Sequence, residues 1–343
     1  MSGGLSTKIH VGLHAIGTLQ DDWLELEKRA ECHPFGCFHW CMNQARLHSA
    51  KGQTPLAICV YNDQRCVAIL PLVQDRISRK LPFKCLKHMC SAFTDYQEFV
   101  VERSDSAAML FEMCLNALVN SEYAKMPLLF AYPSAQLREL CSLVKHLLPQ
   151  QLPFNHWRHS YYKRSFPNLK SKVIREARRR RKKLFASADV EIRLDIPLDE
   201  SLVTWVLDQN ALRFGSNRLT DIAHRQSALQ LLFDYQSSLH LSAVLIDGHP
   251  AAAHLGFMCD STLQYYLLAA DDKYREFSVG IVLLHEIITA HPQVTEIDFL
   301  RGDEEYKKDW ANVYTTDNGI VCLPQNTHSL VKWIAQIYTI RNQ

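Results

Sequence analysis

Apolar positions along this chain fall into two periods that take turns from one end to the other. Alternation every second residue marks a half-buried strand, and recurrence every three to four residues marks a helix with one buried face. Trp23, Leu24 and Leu26 set a helical pattern over residues 19–30, and a second helix is expected over 36–49. Residues 56–61 and 66–73 alternate on either side of Asn62-Asp63-Gln64, which predicts a hairpin. A basic loop over 76–84 leads to an extended segment at 92–101, a helix at 104–119, a short buried strand at 128–131, a helix at 135–148 and a strand at 157–163.

The second half repeats this succession. A strand is expected at 190–195, then amphipathic helices at 199–214 and 221–235, the first with Asp199 as its N-cap. Strands follow at 239–246, 251–258 and 263–269, a helix at 278–291 with Ile281, Leu284 and Ile288 on one stripe, and strands at 294–300 and 319–323. Hairpin, third strand, helix, strand is an α/β order with a mixed sheet. Because it occurs twice, we expect a structural duplication, with domains at 1–165 and 166–343. The spacing of Leu330, Trp333, Ile334, Ile337 and Tyr338 predicts a last helix over 329–340, packed on the body.

Length and composition agree with two ordinary cores. The chain has 343 residues, 47% of them hydrophobic, and a net charge of +2, which gives no global pull toward nucleic acid. Eleven cysteines with irregular spacing, no secretory pattern at the start and no long apolar run predict a cytoplasmic protein with free thiols. Cys32, His33, Cys37, His39 and Cys41 lie close together, but none forms a C-x2-C pair. They are read as packing residues of a helix, and no metal is expected.

Two stretches carry candidate chemistry. The first is Ser278-Val279-Gly280, where a charged loop meets a helix start. Unpaired amides and the helix dipole favour a phosphate there, and Gly280 leaves room for its approach. Ser278 is also a plausible plain cap. The second runs from Asp298 through Arg301, Asp303, Glu304, Tyr306 and Lys307 to Trp310, at a strand's carboxyl end, where α/β sheets tend to bind ligands.

Asp298-Phe299-Leu300-Arg301-Gly302-Asp303-Glu304, with Tyr306, Lys307 and Trp310, resembles the signature of CelD-like acetyltransferases, GNAT-superfamily proteins related in architecture to FemAB-like transferases. Ser278-Val279-Gly280 with Leu283-Leu284, Asp247-Gly248 with Ala251-Ala252-Ala253, Ile69-Leu70-Pro71-Leu72, and Thr94-Asp95-Tyr96 extend the likeness over most of the chain. Val279 and Glu305 stand where that family often has proline. The resemblance implies tandem GNAT-like domains, each a twisted mixed sheet flanked by helices. It also implies transfer of an acyl group from acetyl-CoA or another acyl-CoA to an amine acceptor, such as a sugar nucleotide, in polysaccharide or cell-envelope biosynthesis. On this reading Ser278, Val279 and Gly280 cradle the pyrophosphate, and Arg301 or Lys307 pairs with phosphate or a carboxylate. Asp303 or Glu304 serves as base, Tyr306 protonates the thiolate, and Asp95, Tyr96 and Asp298 hold the acceptor. The first half has no counterpart to the 301–307 cluster, which suggests a supporting role for it.

Residues 170–185 include Arg178-Arg179-Arg180-Arg181-Lys182-Lys183 in a helix-forming context, with Val173, Ala177 and Leu184 available for burial. A solvated linking helix, a contact to an anionic cofactor or acceptor, and a nucleic-acid surface all remain open. The last would suit an aminoacyl-tRNA-dependent transferase or an RNA-binding module, although aromatic residues for base stacking are sparse in the run. A non-catalytic assembly role is the third class.

Overall fold

The computed structural model describes residues 4–30, 33–76, 83–89, 94–104, 106–144, 150–165, 170–214, 222–234, 238–259 and 261–323. The helix expected over 329–340, Cys32 and the segment 166–169 lie outside them. By their internal contacts the residues divide into Met1–His159 with Asp317–Gln343, and Ser160–Thr316.

The first unit begins with β1 (Leu5–Val11), α1 (Leu13–Gly17), α2 (Gln20–Glu27) and α3 (Phe38–Ala50). Strands β2 (Thr54–Asn62), β3 (Arg65–Arg76), β4 (Lys84–His88) and β5 (Val100–Val101) follow, then α4 (Ala107–Val119), β6 (Leu128–Phe130), α5 (Ala135–Leu143) and β7 (Gln150–Ser165). The hairpin turns at Asp63, whose φ of 56° is one that Asp tolerates better than most residues. Strand order is β1-β2-β3-β4-β6, with β4 and β6 parallel across α4 and the other neighbours antiparallel. Pro71 sits in β3 between the residues that pair with β5 and those that pair with β4, so its missing N–H interrupts neither ladder. Leu70, Leu72, Phe99, Phe111, Leu115 and Phe130 lie in its buried core. Cys37 and Cys41 pack as small buried groups, and the Cys41 thiol donates to the carbonyls of Phe35 and Gly36.

The second unit runs through α6 (Ser171–Phe185), β8 (Val190–Arg193), α7 (Glu200–Phe214), α8 (Ile222–Asp234), β9 (Leu239–Ile246), β10 (His249–Cys259), β11 (Thr262–Ala270), α9 (Val279–Ala290), β12 (Glu296–Arg301), α10 (Glu305–Trp310) and β13 (Val313–Leu323). Its order β8-β9-β10-β11-β12 repeats that of the first unit, again with one parallel pair, β11 and β12, spanned by a helix, α9. The expected duplication of a mixed sheet flanked by helices is therefore present. Asp199 caps α7 as expected, its Oδ1 accepting from the Leu202 amide at 3.0 Å.

The two repeats close with strands that sequence order does not suggest. β12 takes residues 161–165 of β7 as its other neighbour. Residues 320–322 of β13, expected to belong with the second half, pair instead with β6, and Ile320 and Cys322 enter the first unit's core. The basic run is not a solvated linker either. Ala177 and Leu184 are fully buried in the second unit's core, so α6 is one of that unit's packed helices.

Candidate functional site

β11 and β12 share only three residue pairs, Thr262 with Glu296, Leu263 with Ile297 and Gln264 with Asp298. Beyond them β11 continues to Ala270 against β10 alone, while β12, paired with β7 from Glu296 to Asp298, goes on to the Arg301–Tyr161 pair. The parting has a local cause. Asp298, fully buried, accepts from the Leu300 amide at 2.9 Å, Leu300 has φ of 55°, and the pairing of β12 with β7 shifts between Asp298 and Arg301. This is a bulge at the carboxyl end of a strand, a device that bends a strand and ends pairing. Asp298, expected to hold an acceptor, has its carboxylate committed to this backbone. Just past the last shared pair, Tyr265 and Phe299 meet edge-on at 5.5 Å, and Tyr306 joins them at 6.4 and 6.2 Å. The Tyr265 hydroxyl is fully buried and has no hydrogen-bond partner among the described residues. Such an orphan is costly, and it lies where the two strands part.

The helix α9 starts at the same carboxyl edge. Ser278 precedes it in the left-handed conformation, with φ 50° and ψ 52°, and its carbonyl accepts from the amides of Ile281 and Val282. The amides of Val279 and Gly280 come before this first helical bond and face outward along the dipole. Ser278 does not cap the helix with its side chain. Its Oγ accepts instead from Arg180 of α6, whose Nε also pairs with Glu176 at 2.8 Å. Glu176 accepts from both Arg179 and Arg180 at 2.8 Å, and these contacts pull its carboxyl down to about 2. Arg180 thus brings a cation to the helix start. The 3-10 turn Asp272–Phe277 before it carries Lys273 and Arg275 but also Asp272 and Glu276, all exposed, so it adds no net charge. Gly280 also has a packing reason. A Cβ there would lie 3.1 Å from Leu268 Cδ2, so the glycine lets α9 approach β11.

The charged turn after β12 is divided between structure and surface. Lys307 is buried, donates to the Arg301 carbonyl at 2.7 Å and pairs with Glu304 at 2.8 Å. It is therefore not exposed for a phosphate, and Glu304 is tied to it. Glu304 folds over Gly302, whose φ is 109° and whose added Cβ would stand 2.4 Å from Glu304 Oε2. Arg301 is half-buried, while Asp303 is exposed and borders a depression lined by Lys308, Asn312 and Tyr314. Tyr306 is enclosed, and burial, followed by the Glu304 charge, pushes its phenol well above the ordinary value. Of the expected residues, Asp298, Arg301, Asp303, Glu304 and Tyr306 thus gather at the exit of β12, and Ser278, Val279 and Gly280 at the start of α9. Asp95 and Tyr96 belong to the first unit. There Tyr96 is buried against Phe35 at 6.2 Å and His33 at 5.3 Å, and Asp95 is half-buried.

Sequence reading missed Arg180 as an individual contact, since nothing in a run of arginines marks the one that reaches Ser278. It missed Tyr265, which sits in an ordinary strand pattern. It also missed a cluster of His240, His254, His291 and Asp195, which are far apart in the chain and follow no ligand spacing.

Residues 171–308 match the family model of an acetyltransferase (GNAT) domain. No curated protein matches the chain in sequence. Among solved structures, that of FemX aligns over 94% of this chain and 98% of its own, with 10% identity and a TM-score of 0.60. A conserved protein of unknown function from Bacteroides thetaiotaomicron VPI-5482 aligns over 93% of this chain and 100% of its own, with 14% identity and a TM-score of 0.55. The C-terminal DUF2156 domain of an Agrobacterium fabrum protein aligns over 95% and 96%, with 8% identity and a TM-score of 0.56. At these identities the likeness is one of fold. The chain shares its fold with FemX over nearly its whole length, and the GNAT-domain match falls within its second unit. Among the described residues no helix is long and apolar enough to cross a membrane.

Proposed function

We propose that the second unit binds an acyl-CoA and transfers its acyl group to an amine. The observation that carries this reading is the parting of β11 and β12 after Gln264 and Asp298, at the edge where α9 begins. A thioester arm fits between two parallel strands that no longer bond each other, and their freed backbone groups can meet its amides. The diphosphate then lies over the Val279 and Gly280 amides, with the Arg180 guanidinium beside it.

The chemistry follows from the groups at the exit of β12. The acceptor nitrogen attacks the thioester carbonyl, the new C–N bond forms and the C–S bond breaks. The nitrogen loses a proton, for which the exposed Asp303 carboxylate is the available base. The departing thiolate gains one, for which the Tyr306 phenol is the available acid, because it stays protonated well past neutral pH. Glu304 and Lys307 shape the turn that presents both. The CelD-like signature extends the proposal to an acetyl donor and an amino-sugar acceptor in polysaccharide or envelope synthesis, within the cytoplasm. The FemX-like fold keeps aminoacyl-tRNA as the competing donor. Against that donor, Arg179, Arg181 and Lys183 of α6 are engaged with Glu176, Glu286 and Glu276 of the same unit.

Thermal melting with acetyl-CoA, longer acyl-CoAs and tRNA in parallel tests this. An acyl-CoA at 100 times its dissociation constant stabilises by about 2.7 kcal/mol. That gain should shrink in Arg180→Gln, whose Kd for acyl-CoA is expected to rise about tenfold through loss of a charge-assisted contact. A response to tRNA with none to any acyl-CoA would transfer the proposal to the competing donor.

A further inference from the structure

At the far end of α9 from Ser278, three groups from separate elements converge. His291 follows the last turn of α9, His240 stands on β9, and Asp195 lies just beyond β8. His291 Nε2 is 3.0 Å from Asp195 Oδ1, and His240 Nε2 is 3.3 Å from the same oxygen. The two imidazoles lie 5.1 Å apart between centroids at an interplanar angle of 77°. Both are buried, while the Asp195 side chain is 61% exposed and leaves one side open to water.

Hydrogen bonding fixes what these atoms present to one another. His291 Nδ1 lies 2.8 Å from the Ile287 carbonyl oxygen. A carbonyl only accepts, so Nδ1 carries the hydrogen, and in the neutral ring Nε2 presents a lone pair. That lone pair is aimed at a carboxylate oxygen, an arrangement of two acceptors that needs a positive centre between them. His240 Nδ1 is 3.2 Å from His254 Nδ1. With the hydrogen of that contact on His240, its Nε2 presents a second lone pair to the same oxygen, with the Ser242 hydroxyl at 3.4 Å as a further, longer neighbour. One proton can bridge only one of these nitrogens to Asp195, whereas a divalent cation satisfies both nitrogens and the oxygen together.

The dimensions agree. Tetrahedral zinc with bonds of about 2.0–2.1 Å separates its ligand atoms by about 3.3 Å. Two edges measure 3.0 and 3.3 Å, and all three ligand atoms lie within 4.8 Å of one another. The Ile287 carbonyl is the kind of outer partner that fixes the tautomer of a ligating histidine. Two imidazole nitrogens and a carboxylate oxygen, with water as the fourth ligand on the open side, suit zinc.

We propose that Asp195, His240 and His291 bind one Zn2+ ion that fastens the carboxyl end of α9 to β9 and to the segment after β8. Although one position is left to water, the ion lies at the end of α9 opposite the Val279 and Gly280 amides, so its role here is to join the three elements. The proposal is independent of what the amino end binds.

The test uses the full chain, stripped with a chelator and then titrated with Zn2+, and with Co2+ as a spectroscopic probe. The expected result is one equivalent of zinc bound and a melting temperature raised by several degrees. Co2+ should give a tetrahedral visible spectrum without a thiolate charge-transfer band, which separates this site from the cysteines. Asp195→Ala, on an exposed side chain, should fold normally yet bind zinc far more weakly. Loss of a ligand exceeds the roughly 10–100-fold that loss of an outer partner costs. His291→Ala should do the same. Equal zinc binding by wild type and Asp195→Ala overturns the proposal, and so does the absence of any zinc-dependent shift in the stripped wild-type chain.

Discussion

Tyr306 and Asp303 divide the labour of the β12 exit by their surroundings. Burial keeps the Tyr306 phenol protonated, and exposure keeps Asp303 in reach of an incoming amine. Replacing Tyr306 with Phe and Asp303 with Asn should each lower kcat about 100-fold, the range of a lost acid or base, with little change in the KM for acyl-CoA. Steady-state kinetics of the two variants checks this, and wild-type turnover in either removes that residue from the chemistry. The same phenol has a consequence for stability. Its folded pKa is raised above the ordinary 10, so its contribution is complete below pH 10 and declines above it, where the unfolded chain ionises first. Tyr306→Phe should therefore flatten the alkaline loss of stability. At this scale the sequence was partly legible. The polar turn at 298–307 stood out as a candidate site, but which of its charges face inward did not. Lys307 and Glu304 neutralise each other, and Asp298 serves an amide two residues on, all of which depend on how the backbone turns at Leu300 and Gly302.

Elements were read more securely than residues, because periodicity reports burial directly. The pattern at 239–246 gives the bounds of β9, and that at 278–291 gives α9 to within a residue at either end. β1 was missed because six of its seven residues are exposed or half-buried, as suits an edge strand paired only to β2, so no alternation marks it. Glycines show why the reason for a residue is harder to read than its element. Gly280 and Gly256 both look like permissive backbone, yet they differ in what surrounds them. A Cβ at Gly256, in the bulge of β10, would stand 2.3 Å from the Gln264 carbonyl oxygen, which cannot move without breaking the sheet. At Gly280 it would stand 3.1 Å from the tip of a flexible leucine. Gly256→Ala should cost about 3 kcal/mol, the upper end of overpacking, or prevent folding. Gly280→Ala should change stability by less than about 1 kcal/mol, since the helix propensity gained offsets the crowding. Urea denaturation of the pair gives the comparison. A Gly280→Ala chain of full stability but weakened acyl-CoA affinity would return that glycine to the ligand-approach role.

For the molecule as a whole, the sequence announced a duplication but not how each repeat is completed. Apart from β1 and β4, the strands of the repeated order are read from their own residues, whereas the partner of a last strand is a long-range choice that no local pattern encodes. Residues 320–322 form a short run of apolar residues, all buried, and only pairing with Phe130, Leu129 and Leu128 assigns them to the first unit. That pairing is reinforced from α5. Arg138 lies 3.5 Å from Asp317 and donates to the Asn318 carbonyl at 3.0 Å. A chain ending at Thr316 therefore loses the edge partner of β6 and two apolar residues of the first core, although every residue removed follows the second repeat in sequence. Stripping Ile320 and Cys322 opens a cavity, and losses of this kind cost about 2–5 kcal/mol for a large buried side chain. The exposed ladder of β6 adds unpaired amides and carbonyls. Limited proteolysis with mass mapping should find new cuts within Met1–His159, while Ser160–Thr316 keeps its protection and its response to acyl-CoA. Cuts confined to the second unit would mean that β13 stabilises the repeat it follows, and the strand exchange inferred from its hydrogen bonds would have to be abandoned.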